Sequence, residues 1–286
     1  MSGTGNIGSP SYMPALYGVG ARGDSLLEAL YGRNGRGQDA VNPIAALDQA
    51  RRAETRQVAL TAARPEIKRD LARFAQALAK AKTPAELLGN PTALKVLLTA
   101  NGLGDQTANR ALAVKALLSD TSKPGSLAAR LSDTRWKPVT ETYAFATKGL
   151  SVLKDPKVID TITKGYAEVL WRQNLDQTTP GLSRALDFMK RASTITSAVQ
   201  ILGDPIFRAV VTTALSVPRE IAFQNLPAQE TAITQRLDIA KFKDPAFVNQ
   251  FTHRYLIAAA NDASLNAAGR EADFTSLAVR SAGLVV

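Results

Sequence analysis

Histidine is the side chain most often recruited for proton transfer and metal ligation near neutral pH. This 286-residue chain has one, His253, in the stretch NQFTHRY. A nucleophilic triad needs further partners and a zinc centre needs three or four ligands, neither of which surrounds His253 in the sequence. The chain also has no cysteine, which excludes thiolate metal sites, iron–sulfur clusters, cysteine nucleophiles and disulfides. His253 therefore reads as a helix-surface or interface residue, flanked by Phe251 and Tyr255 on an amphipathic stretch. Asp155, Asp204 and Asp244 each precede a proline and are accounted for as helix caps, so they supply no acid–base pair. No catalytic residue, cofactor or metal is assigned, and the chain reads as non-enzymatic.

Two glycine-rich motifs invite a phosphate-binding reading. GVGARG, from Gly18 to Gly23, matches GxGxxG, but the dinucleotide fingerprint requires a buried strand before it and a packed helix after it, and SPSYMPALY supplies no such strand. GRNGRG, from Gly32 to Gly37, sets Arg33 and Arg36 among glycines. Two arginines give few phosphate contacts, so a solvated linker is the preferred reading. Between the two motifs, GDSLLEALYG presents Leu26, Leu27, Leu30 and Tyr31, either as a transient helix or as a docking motif. Trp136 and Trp171 are candidate interface anchors, although their apolar flanks favour the core.

These residues must be held by helices. At 45% hydrophobic and 21% charged, with a mean hydropathy of −0.08, the composition is that of a globular protein with one large core or two modest ones. No stretch alternates as a strand does, and Ala, Leu, Lys, Arg and Gln fill the segments between breakers. Thr83-Pro84, Asn90-Pro91, Asp155-Pro156, Asp204-Pro205 and Asp244-Pro245 each pair a capping residue with a proline at the first helical position. In RPEIKRDLARFAQALAKAK, residues Ile67, Leu71, Phe74 and Leu78 form one apolar stripe of a core-facing helix. The predicted fold is all-α. Residues 1–42 hold 9 of the 19 glycines and no charged side chain before Arg22; they read as a disordered tail before an all-helical domain over residues 43–286.

Two phrases occur twice. LGNPTALKVLLTANGL at Leu88 aligns with LGDPIFRAVVTTALSV at Leu202, and KDPKVIDTITKGY at Lys154 with KDPAFVNQFTHRY at Lys243. The order suggests two diverged copies of one helical unit, about 83–175 and 196–260, the first enlarged around LAARLSDTRWKPVTETYAF. Two copies are too few for a solenoid, so a compact multi-helix domain is expected.

The net charge of +10 divides evenly: residues 1–82 carry 12 Lys/Arg against 7 Asp/Glu, which leaves +5 on each side. Without clustered cations and stacking aromatics, nucleic acid is disfavoured as a partner. No segment has the length and apolarity of a membrane span, so no membrane insertion is expected. The set TPAELLGNPTALKVLLTANGL, LAARLSDTRWKPVTETYAF, LKDPKVIDTITKGYAEVLW, ILGDPIFRAVVTTALSVPREIAF and RLDIAKFKDPAFVNQFTHRYL resembles, over about residues 43–260, an uncharacterised alphaproteobacterial family of unknown function often encoded in flagellar gene clusters. The resemblance implies an all-helical fold and a role in flagellar biogenesis as scaffold, assembly factor or export accessory, with other flagellar proteins as partners. It brings no catalytic residues. The alternative is a basic helical module binding nucleic acid or another polyanion. A cytoplasmic location is expected, with export by the flagellar type III apparatus, guided by the uncharged N-terminal segment, as the alternative.

Overall fold

The computed structural model describes the backbone of residues 42–282 and the side chains of residues 42–265. Leu26, Leu27, Leu30, Tyr31 and the two glycine motifs lie outside the described residues. All regular structure among the described residues is helical. In chain order the α-helices are α1 (Pro43–Ala62), α2 (Pro65–Lys80), α3 (Pro84–Gly89), α4 (Pro91–Ala100), α5 (Arg110–Leu117), α6 (Leu127–Arg130) and α7 (Trp136–Tyr143). They continue with α8 (Phe145–Lys148), α9 (Pro156–Leu175), α10 (Leu182–Arg191), α11 (Ala198–Gly203), α12 (Pro205–Ala214), α13 (Leu226–Thr234) and α14 (Pro245–Ala282).

The capping residues set most of these boundaries. Asn42, placed by its sequence at the end of the tail, caps α1 by accepting from the Ile44 and Ala45 amides at 3.0 and 3.3 Å. Asn90 caps α4, Asp155 caps α9 and Asp204 caps α12 in the same way, and the Asp244 carboxylate accepts from the Ala246 amide at the start of α14. Each satisfies backbone donors that the first helical turn leaves free. The helices that lead into the two LG-[Asn/Asp]-Pro turns, α3 and α11, start with matching devices. Thr83 accepts from the Glu86 amide while Glu86 accepts from the Lys82 amide, and Ser197 and Gln200 do the same with the Thr196 amide.

The apolar side chains gather into two clusters. The first holds Ile67 and Phe74 of α2 with Leu87, Leu88, Leu94, Leu97, Leu98, Trp136, Tyr143, Ile162 and Tyr166. Leu71 and Leu78 pack against it, so the predicted α2 stripe faces the core. The second is aromatic: Phe188 meets Phe207 and Phe242 edge-on at centroid distances of 5.5 and 5.2 Å, with Phe251 at 5.6 Å. Leu47 and Ala50 of α1, first among the described helices, belong to this second cluster. Helix α9 serves both, contributing Ile162 and Tyr166 to the first and Trp171 to the second.

Where α9 crosses α4 the backbones are unusually close. A Cβ placed on Gly165 would lie 2.8 Å from the Ala100 carbonyl oxygen, so only glycine fits without movement. Gly165→Ala is expected to cost about 1–3 kcal/mol as an overpacked contact, read by urea denaturation; an unchanged midpoint would show that the crossing opens freely. Asn90→Ala, removing one cap, should cost about 1 kcal/mol in the same assay.

Candidate interaction site

Three arginines occupy the region where the elements meet. Arg172 of α9 is buried, its side chain 6% exposed, and pairs with Glu168 one turn back, with Asp187 of α10 at 3.3 Å and with Glu54 of α1 at 3.5 Å. Lys190 adds a second cation to Glu168 at 2.6 Å. Arg191 binds Asp187 and reaches Asp204 at 2.6 Å, while its guanidinium lies 4.6 Å from the Phe207 ring centroid. Asp204 thus performs two tasks: Oδ1 caps α12 and Oδ2 receives Arg191. Arg135, just before α7, is held by Asp133, by Asp105 and by the Gly102 carbonyl at 2.6 Å. The 132–135 loop also donates its Thr134 amide to the Gly203 carbonyl at 3.0 Å, tying it to the α11–α12 turn.

Burial raises the Glu168 carboxyl, but the Lys190 hydrogen bond and the Arg172 charge outweigh it and keep it below its usual range. Burial also raises Asp105 and Asp70, but Arg135 outweighs it at Asp105, and Lys95 and Tyr166 outweigh it at Asp70, so both lie below their usual range. Asp70 accepts from Lys95 at 2.8 Å and from Tyr166 at 2.7 Å, joining α2, α4 and α9. Burial first, then the bond to Asp70, pushes the Tyr166 hydroxyl up to about 12, and the Asp70 bond raises Lys95. At neutral pH this trio is a carboxylate, a phenol and an ammonium. It fastens helices and has neither a free base nor an activated nucleophile. Asp176 runs the other way, raised by burial and partly offset by the Ser183 amide at 2.8 Å.

Beside the network lies an open groove of about 660 Å³ lined by Arg51 and Glu54 of α1, Arg172, Lys190, Lys243 and Asn249. Its walls are rich in cations. Among the described residues no group of His, Asp and Glu side chains has the geometry of a metal site.

The residues singled out from sequence are dispersed. Trp136 is 1% exposed in the first cluster and Trp171 is buried in the second, so neither offers surface to a partner. His253 is half-buried on α14, and its Nε2 has no hydrogen-bond partner. The sequence reading missed Arg135, Arg172 and Arg191. The i,i+4 spacing of Glu168 with Arg172 and of Asp187 with Arg191 was a visible signal for pairing, but carried no information on burial. It also missed Phe223, which is 90% exposed, with Leu226 and Val199 exposed by 47% and 44%.

A family model described as a protein of unknown function, DUF1217, matches residues 100–248, from the end of α4 into α14. The chain belongs to the DUF1217 family. The DUF1217 segment carries Arg135, Arg172, Arg191 and Phe223, whereas α1 and α2 precede it. A crystal structure of an Agrobacterium tumefaciens protein superimposes with a TM-score of 0.65 at 20% identity, covering 75% of this chain and 91% of that one. That likeness shows a shared helical fold. No curated protein matches the chain.

Two outcomes are expected. Arg172→Met leaves Glu168 with Lys190 and Asp187 with Arg191, so its cost should fall toward the lower end of the roughly 3–5 kcal/mol seen when one partner of a buried pair is removed. Glu168, Asp70 and Asp105 have folded values below their unfolded ones. Their stabilisation is present above about pH 4.5 and lost as pH falls through the folded values. The melting temperature should drop on acidification below that point, less steeply in Arg172→Met, and a flat profile in the wild type would contradict the pairing.

Proposed function

We propose that this chain is a non-enzymatic helical interaction protein of flagellar biogenesis, a scaffold, assembly factor or export accessory working in the cytoplasm. The flagellar part is supported by the sequence resemblance over about residues 43–260. The observation that carries the interaction part is Phe223. It ends the short 3₁₀ turn Arg219–Phe223 with its ring in solvent, beside Leu226 at the start of α13. Helix α13 packs against α11, which carries Val199. Ile221 and Ile233 lean on the second cluster beneath, so the exposed apolar side chains stand on a fastened support.

An apolar ring of this size left in water forgoes about 1.5–3 kcal/mol of burial free energy, which a partner surface recovers on docking. Among the described residues that ring is 90% exposed, which supports reading it as a contact for a partner.

A clean deletion of the gene should abolish or strongly reduce swimming and filament assembly; normal motility and filaments would refute the flagellar role. Complementation with Phe223→Ser separates the patch from the fold. Its melting curve should stay within about 0.5 kcal/mol of wild type, as for other exposed positions, while motility falls. Full complementation by Phe223→Ser would remove the patch from the reading.

A further inference from the structure

Among the described residues the cations of the α1–α2 hairpin outnumber its carboxylates. Between Asn42 and Lys82 it carries nine of them: Arg51, Arg52, Arg56, Arg64, Lys68, Arg69, Arg73, Lys80 and Lys82, against Asp48, Glu54, Glu66 and Asp70. Two of the four carboxylates are committed elsewhere, Glu54 to Arg172 of α9 and Asp70 to Lys95 of α4. None of the nine cations forms an ion pair among the described residues. Arg69 reaches no further than the Pro65 carbonyl of its own helix. The even split of net charge along the chain thus hides a local concentration in the folded protein.

The cations are also ordered. The buried face of α1 carries Leu47 and Ala50, which leaves Arg52, Arg56 and Leu60 on one outward ridge at i, i+4 and i+8. Leu60 is 53% exposed. On α2, opposite Ile67 and Phe74, the outward ridge carries Arg69, Arg73 and Lys80. The sole aromatic of the hairpin, Phe74, is buried, so there is no stacking platform for single-stranded nucleic acid. Arginines one turn apart leading to an exposed leucine suit a protein ligand. Carboxylates at i, i+4 on a partner helix match the guanidinium spacing, and an apolar side chain beyond them covers Leu60.

We propose that the outward face of α1 and α2 docks an acidic amphipathic helix of a protein partner, with Arg52 and Arg56 receiving its carboxylates and Leu60 its apolar edge. This surface is built from elements other than those carrying Phe223, lies before the DUF1217 segment, and does not depend on the flagellar reading.

The test uses the full-length protein and a synthetic helical peptide with glutamates at i, i+4 and leucines along one flank. Binding is followed by fluorescence anisotropy at roughly 50 and 200 mM salt. Saturable binding that weakens with salt is expected. It should fall about tenfold or more in Arg52→Glu/Arg56→Glu, as reversal of close charge pairs does, and several-fold in Leu60→Ser with the salt dependence unchanged. Phe223→Ser should bind as wild type does. Circular dichroism melts of the variants confirm that these exposed substitutions leave the fold intact. Duplex DNA of equal charge and phosphatidylserine vesicles are run beside the peptide. Tighter binding to either, peptide binding indifferent to Arg52→Glu/Arg56→Glu or to Leu60→Ser, or no binding of the peptide at all would overturn the proposal.

Discussion

A guanidinium taken out of water must be matched by carboxylates, and Arg172 imposes that requirement where this fold comes together. Its partners sit on three helices: Glu168 on α9 itself, Asp187 on α10 and Glu54 on α1. Asp187 passes the constraint to Arg191, and Arg191 to Asp204 at the start of α12. Desolvated charges are costly when unpaired, so the network restricts the relative placement of these helices more tightly than apolar contact alone does. Apolar side chains tolerate small shifts at similar energy, whereas a buried ion pair loses most of its compensation when a partner moves away.

Pairing of this kind also fixes the charge states of several groups among the described residues. Pairing holds Glu168, Asp70 and Asp105 ionised, and the bond to Asp70 leaves Tyr166 and Lys95 protonated. Asp70, Lys95 and Tyr166 join three helices in this way. The surface, by contrast, carries an exposed phenylalanine on a supported turn and a hairpin whose cations face outward.

Helix α1 links these observations. It comes first among the described helices, yet its apolar residues Leu47 and Ala50 complete the second cluster, and Glu54 answers Arg172. By giving Glu54 to that network, α1 leaves its outward face more positive. The charge that completes the buried network and the charge displayed to solvent are two sides of one helix.

Much of this was legible along the chain. Asn90, Asp155, Asp204 and Asp244 announce helix starts because a cap acts on amides two or three residues away, and the Ile67–Leu71–Phe74–Leu78 stripe marks a core face because helical periodicity is local. The duplicated LG-[Asn/Asp]-Pro phrases form similarly capped turns for the same reason. What the sequence left open depends on residues far apart in the chain. The apolar flanks of Trp136 and Trp171 favoured the core over an anchor role, and both are buried, but which cluster each joins depends on neighbours far along the chain. Asp204 showed its capping role but not its bond to Arg191, and nothing local distinguishes Arg172, which is buried, from Arg52, which is not. Phe223 carried no local signal of its 90% exposure, because exposure depends on what packs around it. Local amides and helical period determine where elements begin and which face is apolar; which charges lose their water is decided only when helices from distant parts of the chain pack together, because desolvation is a property of the assembled surroundings.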